Sequence, residues 1–207
     1  MKGLLLKDWY MAKKYCRSHL LIAVLFLLVA FMGEENMFFM TYPCIFIATI
    51  PTVLLSYDER CKWDAYCGTL PCSKKQVVSE KFIVGLIVTI PLIIITTVLF
   101  GIKSKMAGYF DFGETMETAS VLILVTALMT AVTMPFMIKF GVEKGRIAYY
   151  VMIGLATALA VLAPNIIGAD MQKEMQFSFA PIAIALAVVI YAVSWYLSVK
   201  FYEKREI

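Results

Sequence analysis

Residues Asp58–Lys81 read DERCKWDAYCGTLPCSKKQVVSEK, the longest polar interruption in the chain. Apolar runs flank it on both sides, Met37–Tyr57 before and Phe82–Ile102 after. About 20 apolar residues carry a helix across the hydrocarbon of a bilayer, so the polar stretch reads as a loop between two membrane spans. Four more such windows follow outward from it: Ser18–Met37, Ala119–Ile138, Ala148–Gly168 and Phe177–Val199. Only Gly33-Glu34-Glu35-Asn36 separates the first two cores, which predicts a tight helical hairpin over 18–57.

Composition agrees. Of 207 residues, 61% are hydrophobic and 16% charged, too apolar for a soluble domain that still needs a polar exterior. Lys and Arg set the orientation. They cluster in residues 1–17, in the 58–81 loop, at Lys139, Lys144 and Arg146, and in the 200–207 tail. Of the 19, only Lys103, Lys105 and Lys173 fall on the other side. The expectation is an all-α integral membrane protein: six transmembrane helices, both termini cytoplasmic, one transmembrane domain over 1–207, with spans three to six over 82–199. The net charge of +4 is spread over four loops at the membrane surface, where it meets anionic lipid headgroups, and is no nucleic-acid signal. The N-terminus lacks the cleavage site of a signal peptide.

Residues 1–17 predict an amphipathic interfacial helix. Met11, Leu4, Tyr15, Ala12, Leu5, Cys16 and Trp9 fall on one arc, with Asp8 the only intruder, opposite Lys2, Lys7, Lys13, Lys14 and Arg17. The same pattern suits a plain positive-inside anchor. The five cysteines lie on the reducing side or within a span, so no disulfide is expected, and the loop's C-x5-C-x4-C spacing lacks the close pairs of zinc sites.

Within the polar loop, helix is predicted to continue from span two through Asp58–Tyr66 and to stop near Gly68 in a left-handed C-terminal turn. Thr69-Leu70-Pro71 breaks it. Ser73 with Gln76 forms a capping box that opens the next helix. Trp63 and Tyr66 share a face beside Arg60 and could serve as docking anchors; the lipid interface would also account for them. The outer loops, 103–118 and 169–176, are short. Prolines 43, 51, 91, 135, 164 and 181 interrupt spans, and Pro164–Gly168 is the candidate for a break or re-entrant turn, with kinking the alternative. Gly141-x-x-x-Gly145 encloses Glu143 and Lys144 and reads as a loop rather than a helix-packing motif.

No ionisable residue sits near the centre of a span, which argues against a proton-coupled transporter. His19 has no metal-ligating partner at helical spacing, no catalytic carboxylate pair or nucleophile elbow is present, and no phosphate-binding loop of the G-x-x-x-x-G-K-[S/T] type occurs. The chain is therefore not expected to be an enzyme, and energy for any active transport has to come from another chain.

Asp58, Glu59, Trp63, Tyr66, Thr69, Leu70, Pro71, Ser73, Lys74, Lys75 and Lys81, together with the opening Met-Lys-Gly-Leu-Leu-Leu-Lys-Asp, carry a resemblance. The chain resembles the ABC-2 type of ABC transporter permease (type V exporter-like), and most of all the small Firmicute-type permeases that include the phenol-soluble modulin exporters. Cys72, and Lys rather than Arg at 74–75, depart from that pattern.

The resemblance implies a multi-pass protein of the bacterial plasma membrane, the permease subunit of an ATP-driven exporter. Its N-terminal helix, with Leu5, Trp9, Lys13 and Lys14, would be the connecting helix. The 58–81 loop would carry the coupling helix that docks in a separate ATPase subunit, through Asp58, Glu59, Arg60, Trp63, Tyr66, Leu70 and Pro71. ATP and magnesium would bind in that partner, with no cofactor in this chain. A second permease chain, identical or not, would complete the unit, and the uncharged spans suit an amphipathic peptide or lipid-like cargo. A drug or lantibiotic immunity pump of the same fold and a non-transporting scaffold or sensor subunit are the alternative readings.

Overall fold

The computed structural model describes residues 2–32, 37–69, 71–108, 110–147, 150–151, 154–155, 158 and 169–204, with backbone only at 37–38 and 169–179. The regular elements among them are helical: α1 (Lys2–Tyr15), α2 (Arg17–Met32), α3 (Met37–Ile47), α4 (Ile50–Arg60), α5 (Trp63–Cys67), α6 (Lys74–Met106), α7 (Phe112–Phe140) and α8 (Ala169–Glu203); residues 142–147, read from the sequence as part of a loop, are helical too. Among the described residues, α6, α7, α8 and the α3–α4 course are long and apolar enough to cross a membrane, and the α1–α2 pair, bent by 62°, makes a fifth candidate. The expected fifth window, 148–168, lies largely outside the described residues. The Pro164–Gly168 break and the Gly33–Asn36 turn lie wholly outside them.

Local chemistry explains the interruptions. Pro51 has no N–H to donate, and the span splits at Ala48-Thr49. There the hydroxyl of Thr49 donates to the Phe46 carbonyl at 2.6 Å and that of Thr52 to the Thr49 carbonyl at 2.6 Å. Pro43, Pro91, Pro135 and Pro181 are carried inside helices without a break. Two expected loops shrink. Helix α6 runs on to Met106 and α7 starts at Phe112 behind an Asp111 cap, and residues 169–176 are helical, continuous with the last span.

Helix α7 packs along α8 and α2 along α3, while α6 touches α1, α2, α3, α4, α7 and α8. One buried cluster joins α5, α6, α7 and α8 at the lysine-rich end through Cys67, Val78, Phe82, Met134, Ile138 and Tyr202. A second joins α1, α2, α3, α4 and α6 through Ala12, Cys16, Ala23, Ile47, Leu54 and Val84. Two polar clasps lock α8 to α6: Tyr191 donates to the Phe82 carbonyl at 2.8 Å and Trp195 Nε1 donates to Ser79 Oγ at 2.9 Å.

The capping box at the start of α6 is present. Gln76 N–H donates to Ser73 Oγ and Ser73 N–H to Gln76 Oε1, both at 3.3 Å. With 33 residues, α6 is about 50 Å long, well beyond a hydrocarbon core of ~30 Å. Its first turns, 74–81, therefore project from the apolar window 82–102 as a rigid extension. Ser73→Ala is expected to cost about 1 kcal/mol, read as a lower thermal midpoint in detergent and faster amide exchange at residues 75–77.

Candidate functional site

The expected helix from span two through Tyr66 does not form. Helix α4 stops at Arg60, Cys61 and Lys62 form a turn, and α5 is a separate five-residue helix. Lys62, not Gly68, takes the left-handed conformation, with φ 52°; Gly68 has φ −61°. A lysine tolerates that region at a cost, and the cost is met because the turn lets α5 fold back onto α6 and α8. Tyr202 OH donates to Asp64 Oδ1 at 2.8 Å, and Cys67 packs against Val77 and Val78.

The break separates the expected anchors. Arg60 ends α4 and does not share a helix with Trp63 and Tyr66. Trp63 is half-buried against the α5–α6–α8 cluster, tilted 46° to Tyr66 at 5.5 Å, with the Lys7 ammonium 4.0 Å from its ring centroid. Tyr66 is 60% exposed and Pro71 is exposed. Leu70 lies outside the described residues. Glu59 is exposed but engaged: its Oε2 accepts from Val142 N–H at 2.9 Å, tying the end of α4 to the elbow after α7.

Beneath the turn lies a group of charges that periodicity alone did not reveal. Asp8 from α1, Asp58 from α4, and Glu80 and Lys81 from α6 are all buried and meet there. Lys81 Nζ donates to Asp8 Oδ2 at 2.6 Å and to Asp58 Oδ2 at 2.5 Å. Lys7 donates to both Asp58 oxygens, at 2.9 and 3.0 Å, and stands 3.2 Å from Asp8. Three carboxylates close enough to share a cation are thus held by lysine ammoniums, with Lys81 itself in the central place.

Asp8 is therefore no intruder. Leu4, Asp8, Ala12 and Cys16 form one buried stripe at four-residue spacing, and α1 packs this stripe on the protein. Leu5 adds a partly buried contact, while Trp9, Lys13 and Lys14 face outward. An acid on a stripe that must be buried signals a buried counter-charge, and the Glu80-Lys81 step at the mouth of an apolar window signals the same.

Glu80 is the odd member. It is wholly buried, and among the described residues neither of its oxygens makes a hydrogen bond, although Lys81 Nζ is 3.5 Å from Oε1. Burial pushes its carboxyl up to about 7, against the pull of Lys81 and Lys7 and with the push of Asp8 and Asp58. The same carboxylates outweigh the downward effect of burial on Lys81 and hold its ammonium above the usual range. A raised carboxyl binds more protons folded than unfolded, so its ionisation destabilises the fold as pH rises. Stability is expected to fall between about pH 5 and 8, and Glu80→Gln to flatten that slope and raise the midpoint at pH 8. A slope unchanged in the variant contradicts the assignment.

The arrangement is held together by ion pairs between three helices. It is a joint: one buried ion group pins the N-terminal helix, the end of the α3–α4 span and the start of α6 under a short exposed turn. The charge belongs to α1, α4 and α6 jointly, so moving any one of them disturbs the pairing of the other two. No curated protein and no solved structure matches the chain. The family described as ABC-2 family transporter protein matches residues 3–203, nearly the whole length and every helix of this multi-pass membrane protein. The chain belongs to the ABC-2 transporter family.

Proposed function

We propose that this chain is the permease subunit of an ATP-driven exporter in the bacterial plasma membrane. A separate ATPase subunit docks on the turn between α4 and α6, and a second permease chain completes the unit. The reading keeps six spans with both termini cytoplasmic, which puts the turn and its joint on the ATPase side. The observation that carries it is the joint itself. A push on the exposed turn acts directly on the ion group that binds α1, α4 and α6, and α6 continues without a break into the membrane. Energy delivered at a soluble surface so reaches three helices at once.

The docking role falls chiefly on Tyr66, the exposed aromatic of α5, with the exposed Pro71 after it in the chain. Asp58 and Trp63 support the turn from within, and Glu59 ties it to the α7 elbow. The cargo is an amphipathic, membrane-active peptide, a reading supported by apolar spans and by the resemblance to the modulin exporters. Co-purification with the ATPase and comparison of ATP hydrolysis between wild type and Tyr66→Ala tests the docking role. Truncating one exposed interface aromatic of this kind is expected to weaken assembly about tenfold or more. Equal assembly and equal hydrolysis would sink it.

A further inference from the structure

A cavity of about 300 Å³ opens between α2, the α3–α4 course, the end of α7 and the segment after it, and shares no lining residue with the charged joint. Arg60 and Arg146 line it, with His19 and Ser56, and among the described residues no acidic one does. Neither guanidinium pairs with a carboxylate among the described residues. Glu59, next to Arg60, is engaged by the Val142 amide. The hydroxyls of Thr49 and Thr52 are spent on backbone carbonyls, whereas Ser56 makes no hydrogen bond among the described residues. Two fork-shaped donors and a free hydroxyl without a counter-charge are the chemistry of an oxyanion site.

Phe46 lies about four helical turns along the α3–α4 course from Arg60, with the His19 ring stacked on it at 4.6 Å and Val53 between the two ends, while Met137 stands beside Gly145 at the arginine end. The volume is at the lower limit of small-molecule sites, room for a headgroup and the first part of a chain but not for a whole lipid or peptide.

We propose that this cavity binds the anionic head of an amphiphile, a phosphate or a carboxylate, between Arg60 and Arg146, with its apolar portion against Val53 and Phe46. The cavity then selects cargo by its charged end, leaving the apolar remainder in the bilayer. Its use as a cargo site rests on the exporter reading; the binding does not, and it is measured without the ATPase.

The purified full chain in a neutral detergent is titrated calorimetrically with three probes: dihexanoyl phosphatidylglycerol, dihexanoyl phosphatidylcholine and inorganic phosphate. The phosphatidylglycerol is expected to bind, and the phosphatidylcholine to bind about tenfold more weakly or not at all. Phosphate binding as tightly as the phosphatidylglycerol would overturn the amphiphile and leave a free-anion site; equal binding of the two lipids would overturn the anion site altogether. Arg60→Gln/Arg146→Gln is expected to lose about tenfold or more of the phosphatidylglycerol affinity. The single variants, each with a smaller loss, stand in if the double variant does not fold. Lys144→Gln/Lys204→Gln removes the same charge from the same end of the molecule without touching the cavity and is expected to bind as wild type. An equal loss in that control would mean general surface attraction and would contradict the site.

Discussion

Lys81→Met is expected to destabilise the protein by about 3–5 kcal/mol, the largest effect of any single substitution in the joint. Lys81 is 2% exposed and holds Asp8 and Asp58 together. Methionine keeps the length of the side chain but leaves two buried carboxylates facing each other with only Lys7 between them. Breaking a buried pair from one side leaves an uncompensated charge, and that is what makes it costly. Asp8→Asn in the same background is expected to recover part of the loss, because it removes one of the stranded charges. The measurement is a thermal unfolding series in detergent for wild type, both single variants and the double variant. Strict additivity would mean that the residues do not act as a group. Lys7→Met should cost less, since Lys7 is partly solvated.

The second large effect lies at the elbow after α7. Gly141 has φ 83° and ψ 166°, a region essentially confined to glycine. At Gly145, an added Cβ would stand 2.8 Å from the Cα of Met137 and would collide with its Cγ. Gly145→Ala therefore forces backbone apart and is expected to cost about 1–3 kcal/mol. Gly141→Ala is expected to be of similar size from strain alone, and it also crowds Glu59, whose carboxylate holds the elbow. Gly154, which meets nothing within 4 Å among the described residues, is the control, and alanine there is expected to be neutral or stabilising. Equal midpoints for Gly145→Ala and Gly154→Ala would contradict the close packing.

These two sites mark where the sequence could be read and where it could not. Long apolar windows are legible because burial in lipid demands them along the whole helix, and α6, α7 and α8 appear where hydropathy places them. The Ser73 cap is legible because both partners lie within four residues. The charged joint is not local: Lys81 and Asp8 are 73 residues apart, and Lys7 and Asp58 are 51 apart. Only the stripe Leu4-Asp8-Ala12-Cys16 hinted that one acid would be buried. The split of the 58–66 helix escaped notice because it depends on tertiary contacts, Tyr202 with Asp64 and Cys67 with α6, which repay a left-handed Lys62. Gly141 and Gly145 looked unremarkable because 141–145 read as a loop, whereas Gly141 takes the sharp turn after α7 and Gly145, in the helical stretch 142–147, lets that stretch pack on Met137; Glu143 and Lys144 between them face outward.

The central claim is that the turn between α4 and α6 is where a separate ATPase takes hold. A photo-crosslinking residue placed at Tyr66, in cells that also make the ATPase, tests this most directly. Met106, exposed at the far end of the same helix that the turn leads into, is the matched control. The account predicts an adduct between the two subunits from position 66 and none from position 106. No adduct from 66, or equal adducts from both, would contradict it.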